Sequence, residues 1–186
     1  MDLDDEECEY IDVGVKVPIP KLFLKDYFIV SLAKAKTHDS VVATLSLKNI
    51  LMGCISKIRG SEKDSMHSLG NKELNIRLAK LAEHIYPDLA IIDGFVGMEA
   101  NGPVHGTPVD CRFAIASIDA LSADRVCLEC MSIPPDYTVY LNYIASKSLG
   151  NFDLNMINII GNKIVECKKK FKLHDYWRRQ VLDNIK

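Results

Sequence analysis

Four short apolar runs are the feature that most restricts how this chain can fold. They are rich in Ile, Val, Ala and Phe, and polar or glycine-containing segments separate them. Runs of this length are typical of buried strands, and they suit a parallel sheet that is covered on both faces. None approaches the roughly 18 apolar residues that a membrane-spanning helix needs. The sequence therefore predicts strands at about 26–33, 89–93, 112–117 and 156–160.

Amphipathic segments lie between these runs. Leu74, Leu78 and Leu81 form one apolar stripe of a helix. Asp119 can cap a second helix, and Pro134 can precede a third. Helices are predicted near 71–85, 119–131 and 135–149. Helices between short strands predict an α/β fold with a mostly parallel sheet and flanking helices.

The two ends of the chain differ in charge. Residues 1–12 hold seven acids and no base, whereas residues 163–186 hold eight Lys and Arg against three acids. Such blocks are usually solvated, and mutual attraction or a docking tail is the alternative. Aromatic residues interleave with the bases of the tail, a pattern that suits contact with RNA or a partner, but the acidic charge of the whole chain favours a segment folded back on the body. We divide the chain into an acidic extension and edge segment (1–25), an α/β domain (26–165) and a basic tail (166–186).

Composition excludes several classes of protein. A net charge of −2 argues against a nucleic-acid partner. The acidic N-terminus lacks the basic-then-apolar order of a signal peptide, so the cytoplasm is expected. The six cysteines are then thiols rather than disulfides, and without four closely spaced cysteines an iron–sulfur cluster is not expected. Cys127 and Cys130 are expected to be buried thiols on a helix.

Basic and imidazole side chains follow the first predicted strand. Lys36 and Lys48 can bind an anionic group as point charges, and His38 can be a metal ligand or a proton carrier. The alternative is a histidine at a strand end with two solvated lysines. His67 lies in a long irregular stretch, 54–70, of the kind that is often functional.

A second group begins where the strand at 89–93 ends. Asp93 enters a glycine-rich stretch, 94–111, that contains Gly94, Glu99 and Gly102. The two carboxylates suit a cation-binding pocket or a general base, and the glycines imply close approach of the backbone. A turn-forming Asp and an exposed Glu are the alternative. Because strand ends gather at one edge of an α/β sheet, all five polar groups are expected to meet: His38, Lys48, His67, Asp93 and Glu99.

Together these blocks resemble the family catalogued as domain of unknown function 362. The resemblance rests on Lys36-Thr-His38, Thr44-Leu-Ser-Leu-Lys-Asn49, His67, Pro87-Asp-Leu-Ala-Ile-Ile-Asp93-Gly94, Met98-Glu99, Gly102-Pro103 and Ala116-Ser-Ile-Asp119, and covers roughly 26–165. It implies an α/β domain found mostly in anaerobic or metal-using bacteria and archaea. Some members carry a ferredoxin module, which is absent here. The chain resembles the C-terminal part of the family domain, without its upstream strands.

A more remote similarity concerns mechanism. The spacing of His38, Lys48 and His67 is similar to that in the nickel-pincer lactate racemases. That similarity implies Lys48 as a cofactor anchor, His67 as a metal ligand and His38 as an acid or base. The chain has Leu-Ser-Leu-Lys-Asn where the racemases are glycine-rich, so the similarity is one of fold alone.

Two functions follow from these observations. The first is a cytoplasmic domain that binds a divalent metal and an anionic ligand or cofactor. Its residues are His38, Lys48 and Asp93 for catalysis; Lys36, Lys48, Gly94 and Gly102 for the cofactor; and His38, His67 and Glu99 for the metal. The second is a non-catalytic, truncated or split family member that acts in assembly. Its exposed strand edge at 26–33 would favour a homo-oligomer or a chain that supplies the missing upstream half.

Overall fold

The structure, a computed structural model, describes residues 7–25, 27–57 and 62–183. In that part of the chain the strands are β1 (Cys8–Asp12), β2 (Lys16–Pro20), β3 (Val30–His38), β4 (Val42–Thr44), β5 (Leu89–Glu99) and β6 (Thr107–Ser117). The α-helices are α1 (Ser46–Gly53), α2 (Glu62–His67), α3 (Gly70–Ala82), α4 (Ala120–Met131), α5 (Val139–Ser146), α6 (Ile164–Cys167) and α7 (Trp177–Leu182). None of these described helices has the length and apolar character to cross a membrane.

The main sheet has the strand order β4-β3-β5-β6. The predicted α/β class with flanking helices is confirmed, but the predominance of parallel strands is wrong. Only β3 and β5 pair in parallel, while β3 with β4 and β5 with β6 are antiparallel. The reason is that β5 runs on to Glu99 and turns back at Thr107, so most of the predicted irregular stretch 94–111 is a hairpin.

Three of the four predicted strands are present. The runs at 89–93 and 112–117 lie within β5 and β6, and the first run becomes β3, which starts at Val30. Its predicted first residue, Asp26, lies outside the described residues. The strand predicted at 156–160 is wrong, since Leu154–Met156 is a short 3-10 helix and 157–160 joins no sheet. Ile160 is 90% exposed, so an apolar run did not ensure burial there.

All three predicted helices are present because their signals are local. The stripe of Leu74, Leu78 and Leu81 is buried in α3. Asp119 caps α4 by accepting hydrogen bonds from the backbone N–H groups of Leu121 and Ser122. The third predicted helix is divided into a 3-10 turn, Pro135–Tyr137, and α5.

The helices cover only one face of the main sheet. In β3, Ser31, Ala33 and Ala35 point into the helical layer and are buried, whereas Leu32 is 67% exposed. Phe95 on β5 is 60% exposed. We call the uncovered side, which bears Leu32, Lys34, Phe95 and Ala116, the open face. The predicted exposed edge along 26–33 is wrong, because β3 is an interior strand and β4 and β6 form the edges.

Both terminal regions pack on this body. β1 and β2 form an antiparallel hairpin whose Val17 and Ile19 are buried. In the tail, the N–H groups of Lys169 and Phe171 donate to carbonyls at the end of α4, and Phe171 is buried. The tail is therefore folded back on the body, the arrangement that the acidic charge of the whole chain favoured. Residues 1–6 of the acidic extension and 184–186 of the tail lie outside the described residues.

The start of α1 is fixed by a buried carboxylate from α4. Asp124 has no exposed surface, and it accepts hydrogen bonds from the Ser46 N–H (2.8 Å), the Ser46 hydroxyl (2.5 Å) and the Leu47 N–H (3.1 Å). These bonds satisfy donors that the first turn of a helix leaves without partners. The partner of this buried carboxylate is therefore the turn that carries Lys48.

The CxxC pair is buried, as the sequence predicted. Cys127 and Cys130 lie on α4 as free thiols that are 0% and 3% exposed. Burial raises the pKa of Cys130 to about 12 and raises that of Cys127 well above its ordinary value. Both groups are therefore protonated thiols that pack as small apolar side chains.

Candidate functional site

The candidate site lies where β3, β4 and α1 meet. Lys36 pairs with Thr44 and His38 with Val42 across the two antiparallel strands. Directly paired residues present their side chains on the same face, so Lys36 and Thr44 are neighbours. Because α1 begins two residues after β4, Lys48 lies in its first turn, close to the end of β3.

Lys48 is a buried lysine whose ammonium has no counter-ion among the described residues. Its side chain is 6% exposed, and within 7–25, 27–57 and 62–183 it makes no hydrogen bond or ion pair. Burial lowers the pKa of Lys48 to about 8. Asp39 partly offsets this by raising the pKa, whereas the charges of Lys36 and Lys63 lower it further. The ammonium is thus charged at neutral pH at an energetic cost that an anion would relieve.

His38 is buried beside this lysine. Its Nδ1 accepts a hydrogen bond from the Ser40 N–H at 3.0 Å and lies 2.9 Å from Asp39 Oδ1. Burial lowers the pKa of His38 to about 4; the hydrogen bond with Asp39 opposes this shift, and Lys48 and His67 add to it. The ring is therefore neutral at pH 7 with its proton on Nε2, and the Asp39 contact becomes a hydrogen bond only when Nδ1 is protonated.

His67 completes the group from the end of α2. His67 is exposed, and the part of its ring that is buried, followed by the charge of Lys48, lowers its pKa. The charges of His38, Lys48 and His67 thus act on one another, and the structure brings these three predicted residues together. Lys36 joins them, since its charge also acts on Lys48.

Asp93 and Glu99 have other partners. Asp93 forms an ion pair of 2.8 Å with Lys34 on the open face. Glu99 Oε2 accepts a hydrogen bond of 2.7 Å from the Lys172 N–H in the tail. In the described part of the chain, no hydrogen bond or ion pair connects either carboxylate to the histidines or to Lys48. The sequence placed all five on one sheet edge, but side chains on β5 alternate between the two faces of the sheet, and β3 separates β5 from β4.

The two candidate glycines make close approaches within the protein itself. A Cβ at Gly94 would overlap the Phe113 ring, and one at Gly102 would overlap the Thr37 carbonyl oxygen. The close approach inferred from the sequence is therefore present, and its partners are protein atoms. At Gly102 it holds the β5–β6 turn against the end of β3, next to His38.

Sequence reasoning missed three residues around the site. Asp39 was not singled out, although its position next to His38 was a signal. Thr44 Oγ1 is buried and has no hydrogen-bond partner among the described residues. Lys63 comes from α2, and no sequence signal marked it. No group of three or more His, Cys, Asp or Glu residues in the described ranges is arranged to hold a metal ion.

Comparisons with known proteins agree with the resemblance seen in the sequence. The family model described as "Domain of unknown function (DUF362)" matches residues 1–129, more than half of the chain. A curated relative is the thylakoid-associated protein sll1697 of Synechocystis sp., which is 34% identical over 110 residues. The aligned part is 58% of this chain and 33% of the relative, so the chain spans about a third of that protein's length. No solved structure matches.

Proposed function

Since the chain belongs to the DUF362 family, whose function is unknown, we propose that it binds an anionic ligand at the group formed by Lys36, Lys48, His38 and His67. The observation that carries the proposal is the buried Lys48 side chain: the residue is 6% exposed, and its ammonium has no carboxylate partner in the described part of the chain. A buried cation without a counter-ion is costly in a folded protein, and a phosphate or carboxylate group would supply the missing charge.

The surroundings of Lys48 fit an anion. Lys36 and Lys63 add positive charge, and the buried Thr44 hydroxyl provides a donor without a protein acceptor. The neutral His38 ring carries its proton on Nε2 and can donate it to a bound oxygen. In this proposal His38 is the acid or base, Lys48 is the binding cation and Asp93 takes no part.

The proposal includes a divalent metal that binds together with the anion. His38 and His67 are neutral at pH 7, which is the form that binds metals. Because Nε2 of His38 carries the proton, His38 would bind the metal through Nδ1, in place of its hydrogen bond from the Ser40 N–H. Two histidines are fewer ligands than most metal sites have, and Glu99 is engaged by Lys172. An oxygen of the anion would be a third ligand, so metal and anion should bind cooperatively.

Titration with sulfate tests the anion site, because its charge is constant near neutral pH. We expect sulfate to bind the wild-type chain and Lys170→Met equally, since Lys170 is an exposed lysine outside the site. Equal sulfate binding by Lys48→Met and wild type would show that the anion site is not at Lys48.

A separate titration tests the metal. Co²⁺ should bind more tightly with acetate present than without it, and His67→Gln should remove that difference.

The affinity for sulfate should depend on pH through Lys48. Its pKa of about 8 means that the ammonium is present below pH 7 and is lost above pH 8. We therefore expect constant affinity from pH 6 to 7 and a fall of up to about tenfold per pH unit at higher pH, the limit for loss of one required proton. Calorimetric titration at each pH measures this. An affinity that does not change up to pH 10 would contradict the role of Lys48.

The open face favours a second candidate function, that of an assembly module. Leu32 and Phe95, 67% and 60% exposed, give this face an apolar surface, and exposed apolar patches often mark contact sites. We propose that this face contacts a second copy of the chain or a chain that supplies a further layer. Six free thiols support the cytoplasm as the compartment.

Sedimentation of the isolated chain tests the assembly role. We expect a species larger than a monomer, because an exposed apolar sheet face associates. Leu32→Glu should shift the chain toward monomer, while Leu69→Glu should not, since Leu69 is equally exposed but lies beside α3. A wild-type monomer with a cooperative melt would show that the open face needs no partner.

A further inference from the structure

A cavity lies beside Asp39, at the turn after β3. Its volume is about 420 Å³, and three segments form its walls: the turn after β3 (Asp39), the β5–β6 turn (101–105) and the tail (174–176). We call it the His174 cavity. Lys48 and His67 do not line it, so it is separate from the proposed anion site. The proposed function above assigns it no role.

Hydrogen bonds between the segments hold this cavity in shape. Asn101 and Asp175 bond reciprocally, Nδ2 to Oδ2 at 3.0 Å and the Asp175 N–H to Oδ1 at 3.3 Å. The Thr37 hydroxyl donates to the Ala100 carbonyl at 2.8 Å. From α7, the Gln180 side chain donates to the carbonyls of His38 and Asp39. The cavity is therefore formed by the fold before any ligand binds, which reduces the cost of binding.

His174 provides a directed donor in the wall. It is 8% exposed, and its Nδ1 accepts a hydrogen bond of 3.1 Å from the Tyr176 N–H. In the neutral ring the proton is then on Nε2, which has no hydrogen-bond partner among the described residues. Nε2 belongs to a buried side chain in the cavity wall, and as a donor without a protein partner it is available to a ligand oxygen.

Two carboxylates give the cavity a negative charge. Asp39 uses Oδ1 for His38 and Ser40, and Asp175 uses Oδ2 for Asn101. The second oxygen of each has no partner in the part of the chain that the structure describes, and neither carboxylate pairs with a lysine or arginine there. Charge complementarity therefore favours a cationic group, and the exposed Tyr176 ring adds a surface on which a cation is attracted.

We propose that the His174 cavity binds a small organic amine that carries a hydroxyl or carbonyl oxygen next to its ammonium group. The ammonium lies between Asp39 and Asp175, and the oxygen accepts from His174 Nε2. A metal ion fits less well, since no three ligating residues in the described ranges are arranged for one. A volume of 420 Å³ is within the range of small-molecule pockets.

Three matched probes test the proposal on the wild-type chain: ethanolamine, ethylamine and ethylene glycol. Binding is followed by NMR through the His174 ring signals. Ethanolamine should bind, and ethylamine, which lacks the oxygen, should bind about 3- to 10-fold more weakly, the value of one neutral hydrogen bond. Ethylene glycol, which lacks the charge, should not bind measurably. Ethylene glycol binding as well as ethanolamine, or no shift of His174 with any probe, would overturn the proposal.

Variants separate this cavity from the anion site. Asp175→Asn keeps an acceptor for Asn101 but removes the charge, and should weaken ethanolamine binding at least tenfold. Asp136→Asn, a matched change at an exposed aspartate outside the cavity, should leave it unchanged. Sulfate should still bind Asp175→Asn, and ethanolamine should still bind Lys48→Met, so that either site can fail alone. Equal weakening by both aspartate variants would contradict the assignment.

Discussion

Replacement of Asp124 by alanine is expected to lower the free energy of unfolding by about 3 kcal/mol, the sum expected for a lost helix cap and buried donors left without acceptors. The carboxylate has no exposed surface, and its three donors all belong to Ser46 and Leu47 at the start of α1. For a chain of this length, 3 kcal/mol corresponds to a fall of about 6–12 °C in Tm. Thermal and urea unfolding measure it.

The matched control is Asp136→Ala, which removes an exposed carboxylate and should change stability by less than about 0.5 kcal/mol. Asp124→Asn retains one acceptor and should fall between the two. If Asp124→Ala melted like the control, the start of α1 would not depend on this carboxylate, and the position of Lys48 would need another explanation.

The effect of Asp124 should also depend on pH. Burial raises its pKa to about 7, and the hydrogen bonds from Ser46 and Leu47 only partly oppose this. A carboxyl group whose pKa is raised by folding binds its proton more tightly in the folded chain. Its contribution to stability is therefore greatest below about pH 4 and is lost as the pH rises through 7. The difference in free energy of unfolding between wild type and Asp124→Asn should therefore decrease from pH 5 to pH 8.

Replacement of Lys48 by methionine is expected to have opposite effects on binding and on stability. Sulfate affinity should fall about 10- to 100-fold, the range for loss of a charge-assisted hydrogen bond. The free chain should become more stable by about 1 kcal/mol, because a buried charge without a counter-ion is replaced by an apolar side chain of similar shape. The same preparations can be used for calorimetric titration and for thermal unfolding.

Lower sulfate affinity together with higher stability distinguishes a binding residue from a structural one. A lysine that held the fold together would lower stability when removed, whereas one kept for a ligand lowers only binding. Lys170→Met should change neither quantity, since Lys170 is exposed and has no ion pair in the described part of the chain. Loss of stability in Lys48→Met would contradict our account of the site.

Local signals in the sequence were sufficient for the helices and insufficient for the sheet. The leucine stripe of α3 and the Asp119 cap of α4 depend on residues within a few positions of one another. The apolar runs of β5 and β6 look the same whether strands pair in parallel or antiparallel, and the Gly-Pro content of 100–106 concealed a hairpin turn. The run at 156–160 satisfied the strand pattern, but no neighbouring strand pairs with it.

The candidate site also contains residues whose positions follow from the local sequence and residues whose positions do not. His38 and Lys48 are joined by one short hairpin and the first turn of a helix, so their proximity follows from the local sequence. Asp93 was expected beside them from the general behaviour of strand ends, but its position in the register opposite Lys34 directs it to the open face. Gln180 and His174 reach the turn after β3 from the tail, a distance in sequence that no motif marks.

The contact of Gln180 with His38 and Asp39 determines when the site can form during synthesis. The two partners are separated by about 140 residues of chain. A ribosome that adds 5–20 residues per second needs roughly 7–28 seconds to make that interval. Until the tail emerges, the turn after β3 lacks its last hydrogen bonds. We therefore expect the nascent chain to carry its ligand groups for many seconds before it can use them.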